Sequence, residues 1–197
     1  MEKLLVKPDI YVSIDIEADG PLPGLNSMLS IGAAAFYAGN RTPVSTFEIN
    51  IAPLEEASPD PDTMQWWAKQ DPKVWTHVTK DPADPTEAMA KFADWVRSLQ
   101  GTPIMVVFPT WDFMWVHYYL VRFLGPKGTP FGIGALDIKS MAFGIIPEIQ
   151  HYKEVTKRNM HSSLLEGCPK HTHQALDDAL GQGVWLVNLL ALRQPGQ

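Results

Sequence analysis

Apolar residues run almost unbroken through "IYVSIDIE", from Ile10 to Glu17, and only Ser13, Asp15 and Glu17 interrupt them. A run of that length, closed by the Gly-, Pro- and Asn-rich "ADGPLPGLNS", predicts a buried strand followed by a loop. "MLSIGAAAFY" and "PVSTFEINIA" predict two more strands. In the second of these, Val44, Thr46 and Glu48 alternate with Phe47, Ile49 and Ile51, the period of a half-buried strand. The three form a meander.

The pattern then changes period. Pro-rich punctuation covers residues 53–85, with one short helix expected around "TMQWWAKQ". "PTEAMAKFADWVRSL" has helical spacing, with Thr86 as its expected cap and Met89, Phe92, Ala93 and Val96 on one face. "TPIMVVF" reads as a short buried strand, and "WDFMWVHYYLVRFLG" as an apolar helix stopped by Gly125. "GALDIKSMAFGII" predicts a further short strand running into a helix. Residues 147–172 are polar and irregular, and "HQALDDALGQGVWLVNLLALR" is a helix despite Gly181 and Gly183. Three strands followed by helix, strand, helix, strand and helix predict an α/β mixed sheet: an antiparallel meander at one side, parallel strands at the other, helices flanking it. Residues 1–197 are expected to form one domain, a size at which a sizeable core can be buried.

Two carboxylates interrupt the first strand at positions i and i+2, so Asp15 and Glu17 point to one side and Ile14 and Ile16 to the other. Folding alone does not place like charges side by side on a mostly apolar strand, because an unpaired buried charge costs several kcal/mol. Further acids stand where strand ends meet helix starts in α/β sheets: Asp112 in "FPTWDFMWV", and the Asp177–Asp178 pair in "HTHQALDDAL", just after His173. Each of these alone reads first as a helix-start acid favoured by the macrodipole. Together, four carboxylates on three converging elements suit hard divalent cations, which prefer oxygen ligands. Two such ions about 3.5–4 Å apart are the usual device for in-line attack on a phosphodiester, with a nearby His taking the proton from water.

These motifs resemble those of the DEDDh 3′–5′ exonucleases, which include proofreading exonucleases, ribonuclease T and oligoribonuclease. "YVSIDIEADG" matches the first motif, "WDFMWV" the second and "HQALDDAL" the third, in order over nearly the whole chain. The resemblance implies a ribonuclease-H-like fold and hydrolysis of single-stranded DNA or RNA from its 3′ end to nucleoside 5′-monophosphates. It also implies two Mg²⁺ or Mn²⁺ ions held by Asp15, Glu17, Asp112 and Asp178, with His173 as general base. The family's H-x4-D spacing selects Asp178 over Asp177. Five positions on a helix separate two side chains by roughly 140°. His173 is therefore expected on the loop entering the last helix, from which it can face Asp178.

Substrate contacts are expected from Trp111 beside Asp112, from Lys157 and Arg158 in the basic segment before the third motif, and from Met28, which reads otherwise as strand-entry core. The adjacent Trp66 and Trp67 read as one buried and one surface ring, with base stacking as the alternative. His171 reads as a loop residue, with assistance to the site as the alternative. Two rival functions share these residues: a non-catalytic nucleic-acid-binding module of the same fold, and a metal-dependent phosphohydrolase acting on small nucleotides.

Composition adds less. A net charge of −6 disfavours a broad salt-driven grip on nucleic acid but not a metal-held strand end. No segment reaches the roughly 20 apolar residues of a membrane helix. Only Leu4, Leu5 and Val6 separate Lys3 from Lys7, too few for a signal-peptide core. The one cysteine, Cys168, forms no internal disulfide and fits a reducing compartment. A cytoplasmic protein is the expectation, with no membrane partner; homodimerisation enters only through the family, since no dimer face is legible.

Overall fold

The structure is a computed structural model describing residues 7–193, so the reading of Leu4 to Val6 lies outside the described residues. A five-stranded sheet has the order β3-β2-β1-β4-β5. Strands β1 (Asp9–Ala18), β2 (Met28–Phe36) and β3 (Ser45–Asn50) form the antiparallel meander. Strands β4 (Thr102–Val107) and β5 (Leu136–Asp137) extend it in parallel from β1. This is the expected mixed sheet.

Six α-helices are described: α1 (Pro61–Trp67), α2 (Pro72–Thr79), α3 (Pro85–Ser98), α4 (Trp111–Leu124), α5 (Ile138–Ile145) and α6 (Ala175–Ala191). Helix α2 lies inside the stretch read as punctuation. Its first residue is Pro72 and its cap is Asp71, whose side chain accepts the Lys73 amide. The same Asp-Pro step starts α1 at Asp60–Pro61 and α3 at Asp84–Pro85. Proline suits the first helical position because its missing N–H has no intrahelical partner there, and its φ is already helical. Asp84, not Thr86, therefore caps α3, accepting the amides of Thr86 and Glu87. Residues 147–172 hold only three short 3₁₀ turns. None of the described helices is long and apolar enough to cross a membrane.

The sheet divides the core. On one face Val12, Ile14 and Ile16 pack with Met89, Phe92, Ala93 and Val96 of α3 and Trp115, Val116, Tyr119 and Leu120 of α4. On the other, Tyr11 and Val106 meet Trp185, Leu186 and Leu189 of α6, while Ala34 and Phe36 meet Val184 and Val187. Ser13, Asp15 and Glu17 share the side of β1 that Tyr11 turns toward α6. Two glycines let α6 lie close. A Cβ on Gly32 would come within 2.1 Å of the Leu176 nitrogen, and one on Gly183 within 2.1 Å of the Phe36 ring. Gly32 pairs with Asp15 across the β1–β2 ladder, so the closest approach of helix to sheet falls beside the first carboxylate.

Candidate active site

The pairing of β1 with β4 ends at Ser13 and Val106. Asp15 and Glu17 stand just past it, at the carboxyl end of the parallel pair, where ligands bind in open α/β sheets. Asp178 comes from the first turn of α6 and Asp112 from the first turn of α4. Carboxylate oxygens of Asp15, Glu17 and Asp178 all lie within 4.8 Å of one another. Asp112 does not join that triad at the same mutual spacing, but its charge acts on Glu17 and is acted on by Asp15 and Asp178. It makes no helix cap and is buried, as are Glu17 and Asp178.

Burial raises the carboxyls of Asp15, Glu17 and Asp112 well above the usual carboxylate range, and their mutual repulsion adds to it. The Gln182 amide, donating to Asp15 Oδ1 at 2.6 Å, and the charge of Lys157 offset only part of this for Asp15. Among the described residues no Lys or Arg forms an ion pair with Asp15, Glu17 or Asp112. Buried like charges without a basic partner are what a divalent cation neutralises, and an all-oxygen donor set fits Mg²⁺ or Mn²⁺. The residues present fit the metal.

Helix α6 begins at Ala175, so His173 sits on the incoming loop as its spacing required. Its φ of 58° is left-handed, a conformation uncommon outside glycine. Asp178 holds this turn: Oδ1 accepts the Thr172 amide at 3.2 Å and Oδ2 the His173 amide at 3.1 Å. The neighbouring Asp177 accepts the Thr172 hydroxyl instead. Burial lowers the His173 pKa from its ordinary value, His171 lowers it further and Asp178 opposes them.

Two more residues stand at the site. His171 Nδ1 lies 2.6 Å from Asp178 Oδ1, and its ring centre is 4.2 Å from that of His173. Gln182 stands four residues after Asp178, hence on the same face of α6. That spacing was a usable signal for Gln182. His171 had none, because only the left-handed turn at His173 folds it back.

The Trp pair divides as expected. Trp67 is buried, its Nε1 donating to the Ala18 carbonyl at 3.0 Å, whereas Trp66 is 39% exposed and meets the His173 ring edge-on at 5.0 Å. Trp111 is 36% exposed, rests on Trp115 and donates to the Pro21 carbonyl. Met28 is fully enclosed in the core and its amide donates to the Tyr119 hydroxyl at 2.7 Å, which corrects its reading as a substrate contact. Lys157 is half-buried, and its amine lies 3.5 Å from where a Cβ on Gly181 would stand. Arg158 is exposed on the same 3₁₀ turn.

A mixed sheet carrying buried acids from β1, α4 and α6, with a loop His beside the last, defines the DEDDh nuclease class. A family model, the 3′–5′ exoribonuclease Rv2179c-like domain, matches residues 10–190, and the chain belongs to that family of nucleases. The 3′–5′ DNA exonuclease Cap18 of Escherichia coli is 38% identical over 141 residues, 70% of each chain. Among solved structures, the nuclease domain of the DEDDh member 3′hExo, bound to rAMP, aligns with a TM-score of 0.65 at 14% identity, over 93% of this chain and 92% of that one. The zinc-bound E. coli exonuclease I–ssDNA complex aligns with a TM-score of 0.65 at 12% identity. That match covers 96% of this chain but only 42% of exonuclease I, so the chain spans less than half the length of that relative.

Proposed function

We propose that this chain is a metal-dependent 3′–5′ exonuclease that removes nucleoside 5′-monophosphates from the 3′ end of single-stranded nucleic acid. The observation that carries this reading is the triad of Asp15, Glu17 and Asp178 within 4.8 Å, with the charge of Asp112 acting on it and His173 on the adjoining loop. The relatives named above act on DNA in one case and carry an exoribonuclease description in the other, and the exonuclease I complex holds a single strand.

Asp15, Glu17, Asp112 and Asp178 would hold two divalent ions, Mg²⁺ or Mn²⁺, whose charge would favour attack on the phosphodiester and departure of the 3′ oxygen. The protein's own groups do the rest. Gln182 orients Asp15, and the amides of Thr172 and His173 fix Asp178. His173, kept neutral by burial, accepts a proton from the attacking water at a ring nitrogen. Trp66 and Trp111 offer exposed rings on which terminal bases can stack, and Lys157 with Arg158 offers positive charge to the backbone phosphates.

The test uses end-labelled DNA and RNA oligomers matched in sequence, a circular single strand, a 3′-phosphorylated oligomer and a free nucleotide, each with Mg²⁺ or Mn²⁺. Linear strands with a free 3′ hydroxyl should shorten to mononucleotides, and the two linear oligomers assign the sugar. Asp15→Asn should abolish cutting while preserving the fold. Rapid cutting of circles would make the enzyme an endonuclease, and turnover of free nucleotide alone would favour the small-molecule phosphohydrolase.

A further inference from the structure

We propose that His171, His173 and Asp178 form a second cation site, distinct in chemistry from the carboxylate site, that takes a zinc-type ion and thereby withdraws His173 from catalysis. One ligand atom from each of the three lies within 4.8 Å of the other two. The donor set is two imidazole nitrogens and one carboxylate oxygen. Imidazole suits Zn²⁺, Co²⁺ and Ni²⁺, whereas the all-oxygen set of Asp15, Glu17 and Asp112, with which this site shares Asp178, suits Mg²⁺ and Mn²⁺. Three protein ligands leave a fourth tetrahedral position open to water.

The local backbone builds this site. The left-handed turn at His173 folds the chain so that two histidines separated by one residue bring their rings to 4.2 Å. Asp178 is buried and pinned by two amides, with Oδ1 also facing His171 Nδ1 at 2.6 Å, so a lone pair of Oδ2 stays open to an ion. Trp66 braces the His173 ring edge-on, and the His171 side chain is 50% exposed, which gives an ion a path from solvent. With bonds of about 2.0–2.1 Å, a tetrahedral ion wants ligand atoms about 3.3 Å apart. The 2.6 Å between His171 Nδ1 and Asp178 Oδ1 is shorter than that, so an ion seated between them would widen this contact. An imidazole nitrogen bonded to an ion no longer accepts a proton. The site itself stands on this geometry, while its inhibitory effect rests on the proposed role of His173.

The experiment titrates Co²⁺ into the full chain at saturating Mg²⁺ and follows visible d–d absorption, which reports a low-coordinate, nitrogen-bound ion without reference to activity. The wild type should bind one Co²⁺ with an intense band, and Zn²⁺ should displace it. His171→Gln should weaken binding by more than about 100-fold, beyond the loss expected from an outer-shell partner. His171→Cys returns a soft donor and should restore binding with a new thiolate band. In parallel, Zn²⁺ should inhibit the Mg²⁺-supported nuclease, and His171→Gln should relieve that inhibition. Co²⁺ affinity unchanged by His171→Gln, or lost instead in Glu17→Gln, would overturn the site. A Co²⁺ site present in a protein inactive with Mg²⁺ would leave the site standing and remove the catalytic reading.

Discussion

At the scale of single residues, His173 is defined by what surrounds its ring. Burial first, then His171, lower its pKa from the ordinary 6.5, and Asp178 pulls the other way. A base must be neutral, so a lowered value extends the active range toward acid. At saturating Mg²⁺ the rate should hold to below pH 6.5 and then fall as the ring protonates. Positive charge at the neighbouring carboxylates acts in the same direction. His173→Ala should lose roughly 10²–10⁴-fold in rate, the usual worth of a positioned base, and lose that acid limb while still binding Mg²⁺. His171→Ala is the comparison and should cost much less. Equal losses in the two variants, or an acid limb that persists without His173, would remove the ring from the mechanism. Asp15 and Glu17 are legible from the two-residue repeat of a strand, whereas His173 is singled out by its H-x4-D match to the exonuclease motif, and helix geometry adds only its place on the loop. His171 carried no such signal, since a left-handed turn at a non-glycine residue leaves no mark in the order of side chains.

At the scale of elements, the helices were legible where apolar spacing repeated over three or four turns, as in α3, α4 and α6. Helix α2 was not, because eight residues give barely two turns and its Pro72 has the look of a breaker. The Asp-Pro pair resolves that ambiguity in hindsight: aspartate caps, proline enters the first turn, and the same step recurs at α1 and α3. Glycines carry the opposite lesson. Gly183 in a helix interior costs about 1 kcal/mol relative to alanine, yet a Cβ there would strike Phe36. Gly32 is the sharper case, for its missing Cβ faces the backbone of α6, which cannot rotate aside. Gly32→Ala should push α6 off the sheet beside Asp15, destabilising the protein by about 1–3 kcal/mol. Because Asp178 travels with α6, activity should fall by more than the loss of folded protein explains. Thermal melts and rates normalised to folded fraction check this, and an alanine variant of full activity and stability would show that the helix has slack.

At the scale of the whole molecule, the site is a defect in the fold that metal repairs. Carboxylates in proteins usually gain partners on folding, so their pKa falls and stability is lost in acid. Here the sign is reversed. Asp15, Glu17 and Asp112 are raised above their unfolded values, so their contribution is fully present below about pH 4 and is lost as pH rises through their folded values. Stripped of metal with a chelator, the protein should be held back by this cluster at pH 8, and Asp15→Asn should raise its melting temperature there. Mg²⁺ binds the ionised, folded site and should restore stability by about 2.7 kcal/mol at a hundred times its dissociation constant. For a chain of this size that is a rise of roughly 5–11 °C. Protons compete for the same oxygens, so the rise should shrink steadily as pH falls toward 5, and in Asp15→Asn it should be small at every pH. Calorimetry with chelator and with graded Mg²⁺ at several pH values measures all of this at once. A wild-type protein equally stable with and without Mg²⁺ at pH 8 would mean that the four acids are neutralised from within the chain, and the reading of the site as a metal centre would fail on thermodynamics before any substrate was added.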